Sequence, residues 1–345
     1  MAAAFIVRFR PNGPWRIGTD TGARDRTDRI LHSDQLYSAL TLAMQRLGMF
    51  EKWLEDVFEN PDGPAVRLSS CFPWREELLF VPPPRCLWPL PSSVKVRWKG
   101  AGFVPLAVVH RLASGESLDE DAWVVDGLSK CLVPSSAPRG PFRTAYRSFA
   151  GVDRTTSQWC VHGMACLEFS ERSGFWAVVA FENDEAMTRW GEPVKAALRL
   201  LADSGMGGKR SIGWGCAEMV EFLSGSLPEM IFPQTILEQN GAKAEAEQAP
   251  ENAFWLLSLF NPSDADAVDW SRGFYSLITR TGRVESPAAC GAMKKATRMV
   301  AEGSVLFSSA PLRGRALNVA PEGCPHPVYR AGFGLAISIP WRTLL

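Results

Sequence analysis

The stretch Gly205-Met-Gly-Gly-Lys-Arg-Ser-Ile-Gly-Trp-Gly215 is the most distinctive part of this sequence, and it joins a helical pattern to a strand pattern. Five of its eleven residues are glycine, which frees the backbone for positive φ values and for close approach to a ligand. Lys209, Arg210 and Ser211 stand at its centre. Consecutive N–H groups beside two cations are typical of a phosphate-binding loop. The alternative is an exposed turn at a tight helix exit.

Two common phosphate-binding motifs do not match this stretch. A P-loop places Ser or Thr after its Gly-Lys pair, whereas Arg210 follows Lys209 here, and its first glycine would fall at position 203, which is Asp. A dinucleotide-binding fingerprint would need glycine at position 210. Both motifs lead from a strand into a helix. The apolar spacing around this loop predicts the opposite order, a helix over 184–204 and then a strand over 216–222.

Length and charge limit the classes of protein that the chain can represent. Its 345 residues fit two domains. Hydrophobic residues make up 46% and charged residues 21%, so a packed core is expected and global disorder is excluded. Lys plus Arg number 37, as do Asp plus Glu, which gives zero net charge. A wholly basic RNA-binding chain is therefore excluded, and any nucleic-acid surface must be a local basic patch.

The sequence points away from secretion and from the membrane. Its eight cysteines include no Cys-x-x-Cys pair, which favours reduced thiols. No run approaches the roughly 18 uncharged apolar residues that a membrane span needs. Arg8 and Arg10 interrupt the first apolar run, which is too short for a signal peptide. We therefore expect a cytoplasmic protein without membrane contact.

Apolar periodicity predicts alternating strands and helices. Alternation over Phe5–Arg10 predicts a strand, and helical spacing predicts a helix that begins at an N-cap formed by Ser33 or Asp34. Residues 164–169 and 175–181 predict a hairpin with a five-residue loop. Further elements are a short helix over 51–58 and strands over 67–74, 78–81, 254–260, 274–280, 304–308 and 329–339.

This order predicts an α+β fold made of two ferredoxin-like domains. Each half of the chain can be read as strand, helix, strand, strand, helix, strand, a plan also used by RNA-recognition domains. The N-terminal domain is expected over 1–225, with an insertion at about 82–150 and the glycine-rich loop at 205–215. A polar linker over 226–252 precedes a C-terminal domain over 253–345.

Basic and aromatic residues alternate in three segments outside the loop. Single-stranded RNA needs cations that hold phosphates and rings that stack on bases. The alternative is a set of solvated arginine-rich loops with ordinary core aromatics. The segments contain Arg8, Arg10, Arg16, Arg24, Arg26 and Arg29; then Arg85, Trp88, Lys95, Arg97, Trp98, Lys99, Phe103 and Arg111; then Arg139, Phe142, Arg143, Tyr146, Arg147, Phe149 and Arg154.

Two further clusters have both a chemical and a structural interpretation. His32 could act as a general acid or base oriented by Asp34, but an exposed histidine beside a capped helix start explains it better. Cys160, His162 and Cys166 could supply three metal ligands from one strand face. Since the usual zinc spacing and a fourth ligand are missing, we expect no metal and no cofactor.

Several of these motifs resemble those of the RAMP proteins of type III CRISPR effector complexes. The resemblance is specific in residues 1–48, 68–83 and 150–220, and it is greatest for the member of the type III-A (Csm) complex that caps the 5′ tag of the guide RNA. It rests on Phe5-Ile-Val-Arg-Phe-Arg-Pro11, His32-Ser-Asp-Gln-Leu-Tyr-Ser-Ala-Leu40, Ser70-Cys-Phe-Pro-Trp74, Val152-Asp-Arg-Thr-Thr156, the glycine-rich loop and the last strand from Tyr329 to Ile339.

The resemblance implies a non-catalytic RNA-binding subunit of a prokaryotic ribonucleoprotein. Its expected partners are the repeat-derived 5′ tag of the crRNA, target RNA near the tag, a large polymerase-like subunit and a backbone RAMP subunit. A protruding loop or hairpin, matched here by Arg139–Thr156, would interrupt the guide–target duplex. Asp34 does not take the role of the Asp that cuts target RNA in related backbone subunits. The predicted RNA-binding residues are Gly205, Gly207, Gly208, Lys209, Arg210, Ser211, Arg143, Arg147, Arg154, Trp15, Arg16 and His32.

Two other functions remain open at this stage. The chain could be the related metal-independent RAMP endoribonuclease that processes repeat RNA, with His32 as acid or base. It could also be a scaffold whose arginines bind acidic proteins, which zero net charge permits.

Overall fold

The computed structural model describes residues 2–18, 23–89, 96–233, 253–286 and 289–339. Most of the predicted linker, residues 234–252, therefore lies outside the described residues. The fold is α+β, and its sheets are mostly antiparallel. Its strands are β1 (Ala2–Pro11), β2 (Val66–Leu68), β3 (Phe72–Arg75), β4 (Leu78–Val81), β5 (Val104–Pro105), β6 (Trp123–Val125), β7 (Leu132–Pro134), β8 (Phe142–Val152), β9 (Trp159–Phe169), β10 (Ser173–Phe181), β11 (Ala217–Leu227), β12 (Ala253–Leu256), β13 (Val268–Phe274), β14 (Leu277–Arg280), β15 (Thr297–Val300), β16 (Val305–Ser308), β17 (Gly314–Asn318), β18 (Tyr329–Phe333) and β19 (Ala336–Ile339).

The first half is built on one seven-stranded sheet of order β11-β1-β10-β3-β4-β5, with β2 also paired to β10. Phe5, Val7 and Phe9 of β1 are fully buried on one face, as their alternation predicts. Every residue of β10 is buried, because this strand lies in the middle of the sheet with neighbours on both sides. In chain order, the strands and helices of this sheet run β1-α1-β2/β3 and later β10-α4-β11.

Two long helices cover this sheet, and two short ones accompany them. They are α1 (Ser33–Arg46), α2 (Phe50–Trp53), α3 (Leu106–Ala113) and α4 (Asp184–Ser204). The predicted helix over 184–204 is confirmed, and the Asn183 side chain caps it by accepting from the N–H of Ala186 at 2.9 Å. The helix predicted over 51–58 is confirmed as α2 and a π-helical turn over Leu54–Phe58. At α1 the N-cap is His32, one residue before the predicted cap.

The hairpin predicted from residues 164–169 and 175–181 is wrong. β9 pairs instead with β8, from Phe142 opposite Phe169 to Val152 opposite Trp159. β10 is occupied on both edges by β1 and by β2 and β3, so no edge is left for β9. The β8–β9 pair therefore forms a separate two-stranded hairpin, and most of its distal residues are exposed.

The segment predicted as an insertion is packed on the first half. β5 extends the main sheet next to β4, and β6 pairs with β7. Phe103, Val109 and Leu132 are buried in the same hydrophobic core as β1 and α1. The segment 82–150 thus adds elements to an existing core.

The second half contains a four-stranded sheet of order β13-β16-β12-β19 and the pairs β14–β15 and β17–β18. No helix occurs within 253–286 and 289–339, so the two helices predicted for this half are missing from its described residues. Its strands appear near the predicted places, but the stretch 329–339 divides into β18 and β19.

The two halves share one hydrophobic core. Trp255, Leu257 and Phe333 are buried together with residues of β1 and α1. Buried hydrogen bonds also cross the boundary: the Trp255 indole donates to the carbonyl of Pro82 at 3.1 Å, and the N–H of Leu259 donates to Ser33 Oγ at 3.0 Å. Among the described residues, none of the helices has both the length and the apolar character needed to cross a bilayer.

Candidate nucleic-acid interface

The glycine-rich loop connects the end of α4 to β11 and packs tightly on the chain's own backbone. Gly207 has a φ of 84°, and a Cβ there would lie 2.3 Å from the carbonyl oxygen of Arg16. Gly215 has a φ of 83°, and its Cβ would lie 2.0 Å from the carbonyl oxygen of Met206. Glycine is therefore needed at both positions for the loop to close on itself and on residues 13–16.

Three consecutive N–H groups remain available at the centre of this loop. The N–H of Gly208 donates to the carbonyl of Arg16 at 2.8 Å, but those of Lys209, Arg210 and Ser211 donate to no acceptor in the described part of the chain. Lys209 adopts the left-handed conformation, with φ 66° and ψ 28°, and a short 3₁₀ turn over Arg210–Ile212 follows. Successive N–H groups in such a turn can bind an anion.

The loop also contacts the β8–β9 hairpin, in the half of β8 nearer the tip. The Lys209 ammonium lies 5.5 Å from the centroid of the Phe149 ring. The same ring lies 5.6 Å from that of Trp214, centroid to centroid. These contacts place the loop and the hairpin side by side, although Phe149 and Lys209 are 60 positions apart in the sequence.

A cleft of about 260 Å³ lies beside the loop, between α1 and residues 280–294 of the second half. Six cationic and two anionic side chains line it, so it is positively charged. The Arg210 guanidinium forms an ion pair with Glu285 across the cleft. The cationic lining residues are Arg46, Arg210, Arg280, Arg283, Lys294 and Arg330, and the anionic ones are Asp34 and Glu285.

Buried ion pairs hold the floor of this cleft. Asp34 lies 3.1 Å from Arg280 and 3.6 Å from Arg330, measured from carboxylate oxygen to guanidinium nitrogen. Burial alone would raise the pKa of Asp34, but the two guanidinium groups and His32 keep it below its usual value. Burial and the neighbouring Arg330 lower the pKa of Lys294. The cleft thus concentrates positive charge that is only partly neutralised.

Two predicted RNA contacts are buried instead. Trp15 has no exposed surface, and its indole donates to the carbonyl of Cys216 at 3.1 Å. The Arg16 guanidinium, in a residue 9% exposed, donates to the carbonyls of Ala23 and Ala165 at 2.9 and 3.0 Å. Neither side chain is free to contact RNA, so both predictions are wrong. The sequence could not reveal this because the buried partners, Cys216 for Trp15 and Ala165 for Arg16, are distant in the chain.

His32 is also buried, which corrects both its prediction as an RNA contact and the expectation of an exposed ring. It is 5% exposed, and its Nδ1 lies 2.8 Å from Glu302 Oε1. Ser70 Oγ donates to the same oxygen, and the His32 N–H donates to Gln35 Oε1 at 3.2 Å. A general acid or base must reach the substrate atom. This ring cannot reach an RNA strand without separating the two halves of the chain.

The hairpin carries the remaining predicted arginines on exposed positions. Arg143 and Arg147 both bind Glu168, at 2.9 and 2.5 Å between guanidinium nitrogen and carboxylate oxygen. Arg154 is exposed in the turn at the tip. Trp159, which the sequence reasoning missed, is 76% exposed beside that turn. Val152, which pairs with Trp159, and Val161 are exposed beside it, and a group of exposed apolar residues is typical of an interaction surface.

The possible metal ligands Cys160, His162 and Cys166 lie on β9. They occupy alternate positions of this strand, but no three His, Cys, Asp or Glu side chains in the described ranges lie close enough to hold an ion. The cationic residues of the second half were likewise missed in the sequence, because nothing local connects Arg280 or Lys294 with the loop at 205–215.

Comparison with known proteins agrees with this fold. Residues 249–339 match the family model of the CRISPR Csm4 C-terminal domain. A chain in the crystal structure of a Csm3–Csm4 subcomplex of the type III-A CRISPR-Cas interference complex superposes with a TM-score of 0.61 at 16% identity, covering 99% of this chain and 100% of that chain. A chain in the Csm1–Csm4 cassette in complex with cA4 gives 0.58 at 16% identity and 99% coverage of both chains. No curated protein matches the sequence.

The family match is limited to residues 249–339, and the structural matches show that the whole chain shares the fold of chains in these two complexes. The second half of the chain is therefore similar to the CRISPR Csm4 C-terminal domain.

Proposed function

We propose that this protein is a non-catalytic subunit of a type III-A CRISPR complex that binds the repeat-derived 5′ tag of the crRNA. In that complex it would bridge the large polymerase-like subunit and the backbone RAMP subunit. The pairing of similar chains with Csm1 in one solved structure and with Csm3 in another supports the two protein partners.

The observation that carries the RNA-binding proposal is the set of three consecutive N–H groups at Lys209, Arg210 and Ser211, next to a cationic cleft. N–H groups bind phosphate oxygens directly, and the cations add an attraction that falls as salt rises. Glycines 205, 207 and 208 give the loop its shape, so in this proposal they position the N–H groups instead of contacting the tag through side chains. Arg46 from the end of α1 borders the same surface.

The hairpin would contact target RNA near the tag. Arg143, Arg147 and Arg154 supply exposed guanidinium groups, and Trp159 supplies a ring that can stack on a base or separate two bases. Because Phe149 of the hairpin packs against the glycine-rich loop, RNA held at the loop would continue towards the hairpin.

Repeat-RNA cleavage by His32 is the competing enzymatic function, and the buried His32–Glu302 pair argues against it. Incubation of the purified chain with repeat RNA in chelator tests it, since specific cleavage lost in His32→Ala would replace our proposal.

The boundaries 1–225, 226–252 and 253–345 and the ferredoxin-like plan of both halves also remain proposals. The sheet orders β11-β1-β10-β3 and β13-β16-β12-β19 support the plan, since each places the first and third of its four strands, in chain order, at the centre.

The test compares tag binding by wild type and Lys209→Ala/Arg210→Ala in a filter assay over a range of salt. We expect at least a tenfold loss of affinity and a shallower salt slope, because two phosphate-binding cations are removed. Arg111→Ala/Arg315→Ala is the matched control, since each of those arginines is also exposed and paired with a carboxylate. Equal tag binding by all three proteins would refute the proposal.

A further inference from the structure

Strand β11 forms one edge of the seven-stranded sheet, and that edge is open. The strand pairs with β1 from Leu227 opposite Ala2 to Ala217 opposite Pro11, and it stands last in the sheet order. In an antiparallel pair, alternate residues point their N–H and C=O groups away from the neighbouring strand. From Ala217 to Gly225 these outward groups have no hydrogen-bond partner in the part of the chain that the structure describes. Such an edge can pair with a further strand.

The other three edges of the seven-stranded and four-stranded sheets are short or interrupted. β5 has two residues, and the N–H of Leu132 donates to the carbonyl of Phe103 beside it at 2.8 Å. β13 changes register between Asp269 and Phe274, where the N–H of Ser271 donates to the Asp269 carboxylate at 3.0 Å. β19 has four residues. β11 has eleven, with neither lysine nor proline among them, so the usual protections of an edge strand are missing from it.

The side chains along β11 indicate the chemistry of its partner. Glu218 and Glu221 are exposed and form no ion pair within the described residues, and 217–233 contain no lysine, arginine or histidine. Arg8 lies opposite Glu221, but its guanidinium is directed to the Trp74 ring, 5.6 Å from the centroid. Leu223, 47% exposed, shares a face with Glu221 two positions away. A matching strand would carry an apolar residue beside Leu223 and a lysine or arginine beside Glu221.

Charge argues against two other occupants of this edge. RNA is disfavoured because exposed carboxylates repel phosphates. A second copy of the chain is disfavoured because pairing of β11 with itself would set the same glutamates of both copies along one edge, and like charges on adjacent strands are destabilising.

We propose that β11 receives an extended basic segment of the large polymerase-like subunit, which adds a strand to the seven-stranded sheet. This inference rests on the proposed function, in which the chain bridges two protein subunits. In that arrangement the backbone subunit follows the guide on the side of the hairpin. The hairpin is joined to the Pro11 end of β1 through the bridge between Trp15 and Leu167. β11 runs from that end towards Ala2, away from the hairpin, so its edge is assigned to the other subunit.

Hydrogen exchange tests the added strand. The full chain is compared alone, in its complex with the large subunit and in its complex with the backbone subunit. We expect alternate amides within 218–225 to exchange at least roughly tenfold more slowly in the large-subunit complex alone, because a new strand bonds only to groups that face away from β1. No protection, equal protection of all these amides, or protection only by the backbone subunit would overturn the inference.

Glu221→Lys tests the charge of the added segment. We expect about three- to tenfold weaker binding to the large subunit at low salt and a smaller loss at high salt. Glu77→Lys is the matched control, since Glu77 is also exposed and without an ion pair among the described residues, in the turn between β3 and β4. Melting temperatures check that both variants fold. Equal binding by the two variants would refute a basic partner segment.

These outcomes separate the inference from the proposed function. Tag binding in the filter assay should be unchanged in Glu221→Lys, because β11 lies outside the glycine-rich loop. A stable complex with the large subunit, without protection of β11, would overturn the added strand and leave the bridging role intact. Failure of the wild-type chain to bind the large subunit would overturn both.

Discussion

The carbonyl oxygen of Arg16 accepts a hydrogen bond from the N–H of Gly208 at 2.8 Å, while the guanidinium of the same arginine donates to carbonyls of residues 23–26 and to that of Ala165. One residue thereby holds three segments together: the first loop, the β9 strand and the glycine-rich loop. Arg16 does not bind RNA in our account. It positions the loop whose N–H groups are proposed to do so.

The first prediction concerns the approach of this loop to Arg16. Gly207→Ala should weaken tag binding at least tenfold, because its Cβ would lie 2.3 Å from the Arg16 carbonyl oxygen and push the loop outward. Gly213→Ala is the matched control: Gly213 has a φ of 82°, nearly the same as Gly207, but no atom lies within 4 Å of its added Cβ. Equal binding by the two variants in a filter assay would show that the close approach to Arg16 is unimportant.

The second prediction concerns the carboxylates that hold candidate RNA-binding arginines. Glu168 binds both Arg143 and Arg147, and RNA must displace it to reach them. Glu168→Gln should therefore raise the affinity for RNA that extends beyond the tag by about three- to tenfold at low salt, with a smaller gain at high salt. Glu116→Gln, which frees Arg111 on α3, serves as the control. A fall in affinity for Glu168→Gln would mean that Arg143 and Arg147 bind RNA only when the Glu168 carboxylate holds them in position.

The third prediction concerns pH and the buried pair between the halves. Burial opposes the charge on His32, but the carboxylate of Glu302 raises the pKa of His32 above its usual value. Burial also opposes the charge on Glu302, but His32 lowers the pKa of Glu302. The contribution of His32 to the free energy of unfolding is complete below about pH 6.5. It is lost as the pH rises through the raised pKa of His32. The contribution of Glu302 is complete above about pH 4.3. It is lost as the pH falls through the lowered pKa of Glu302.

His32→Asn should therefore destabilise the protein most between about pH 4.3 and 6.5, and less at pH 9. Urea unfolding at pH 5.5 and pH 9 measures the two differences from wild type. His162→Asn, at a half-buried position of the hairpin, is the control for loss of an imidazole away from Glu302. A His32→Asn destabilisation that is the same at both pH values would indicate a neutral hydrogen bond instead of an ion pair.

The fourth prediction separates two tryptophans that look alike in the sequence. Trp15 is fully buried, with ring contacts to Phe9, Phe169 and Phe175, so Trp15→Ala should lower the free energy of unfolding by about 3–5 kcal/mol. Trp159 is 76% exposed, so Trp159→Ala should change it by less than about 0.5 kcal/mol. The same Trp159→Ala variant should lose affinity for guide–target RNA. Equal destabilisation by the two variants in thermal melts would contradict the assignment of Trp159 to a contact surface.

Local patterns in the sequence predicted the elements whose formation depends on neighbouring residues. The helix over 184–204 follows from apolar spacing, and the buried face of β1 follows from alternation. The loop at 205–215 follows from its glycines. Tertiary structure alone decided that β9 pairs with β8, that Trp15, Arg16 and His32 are buried, and that Asp34 meets Arg280 across 246 positions of sequence. Strand pairing and exposure depend on contacts between distant segments, whereas periodicity records only which face of each segment is apolar. The cationic cleft therefore could not be predicted from the sequence, because its residues come together only when the two halves pack.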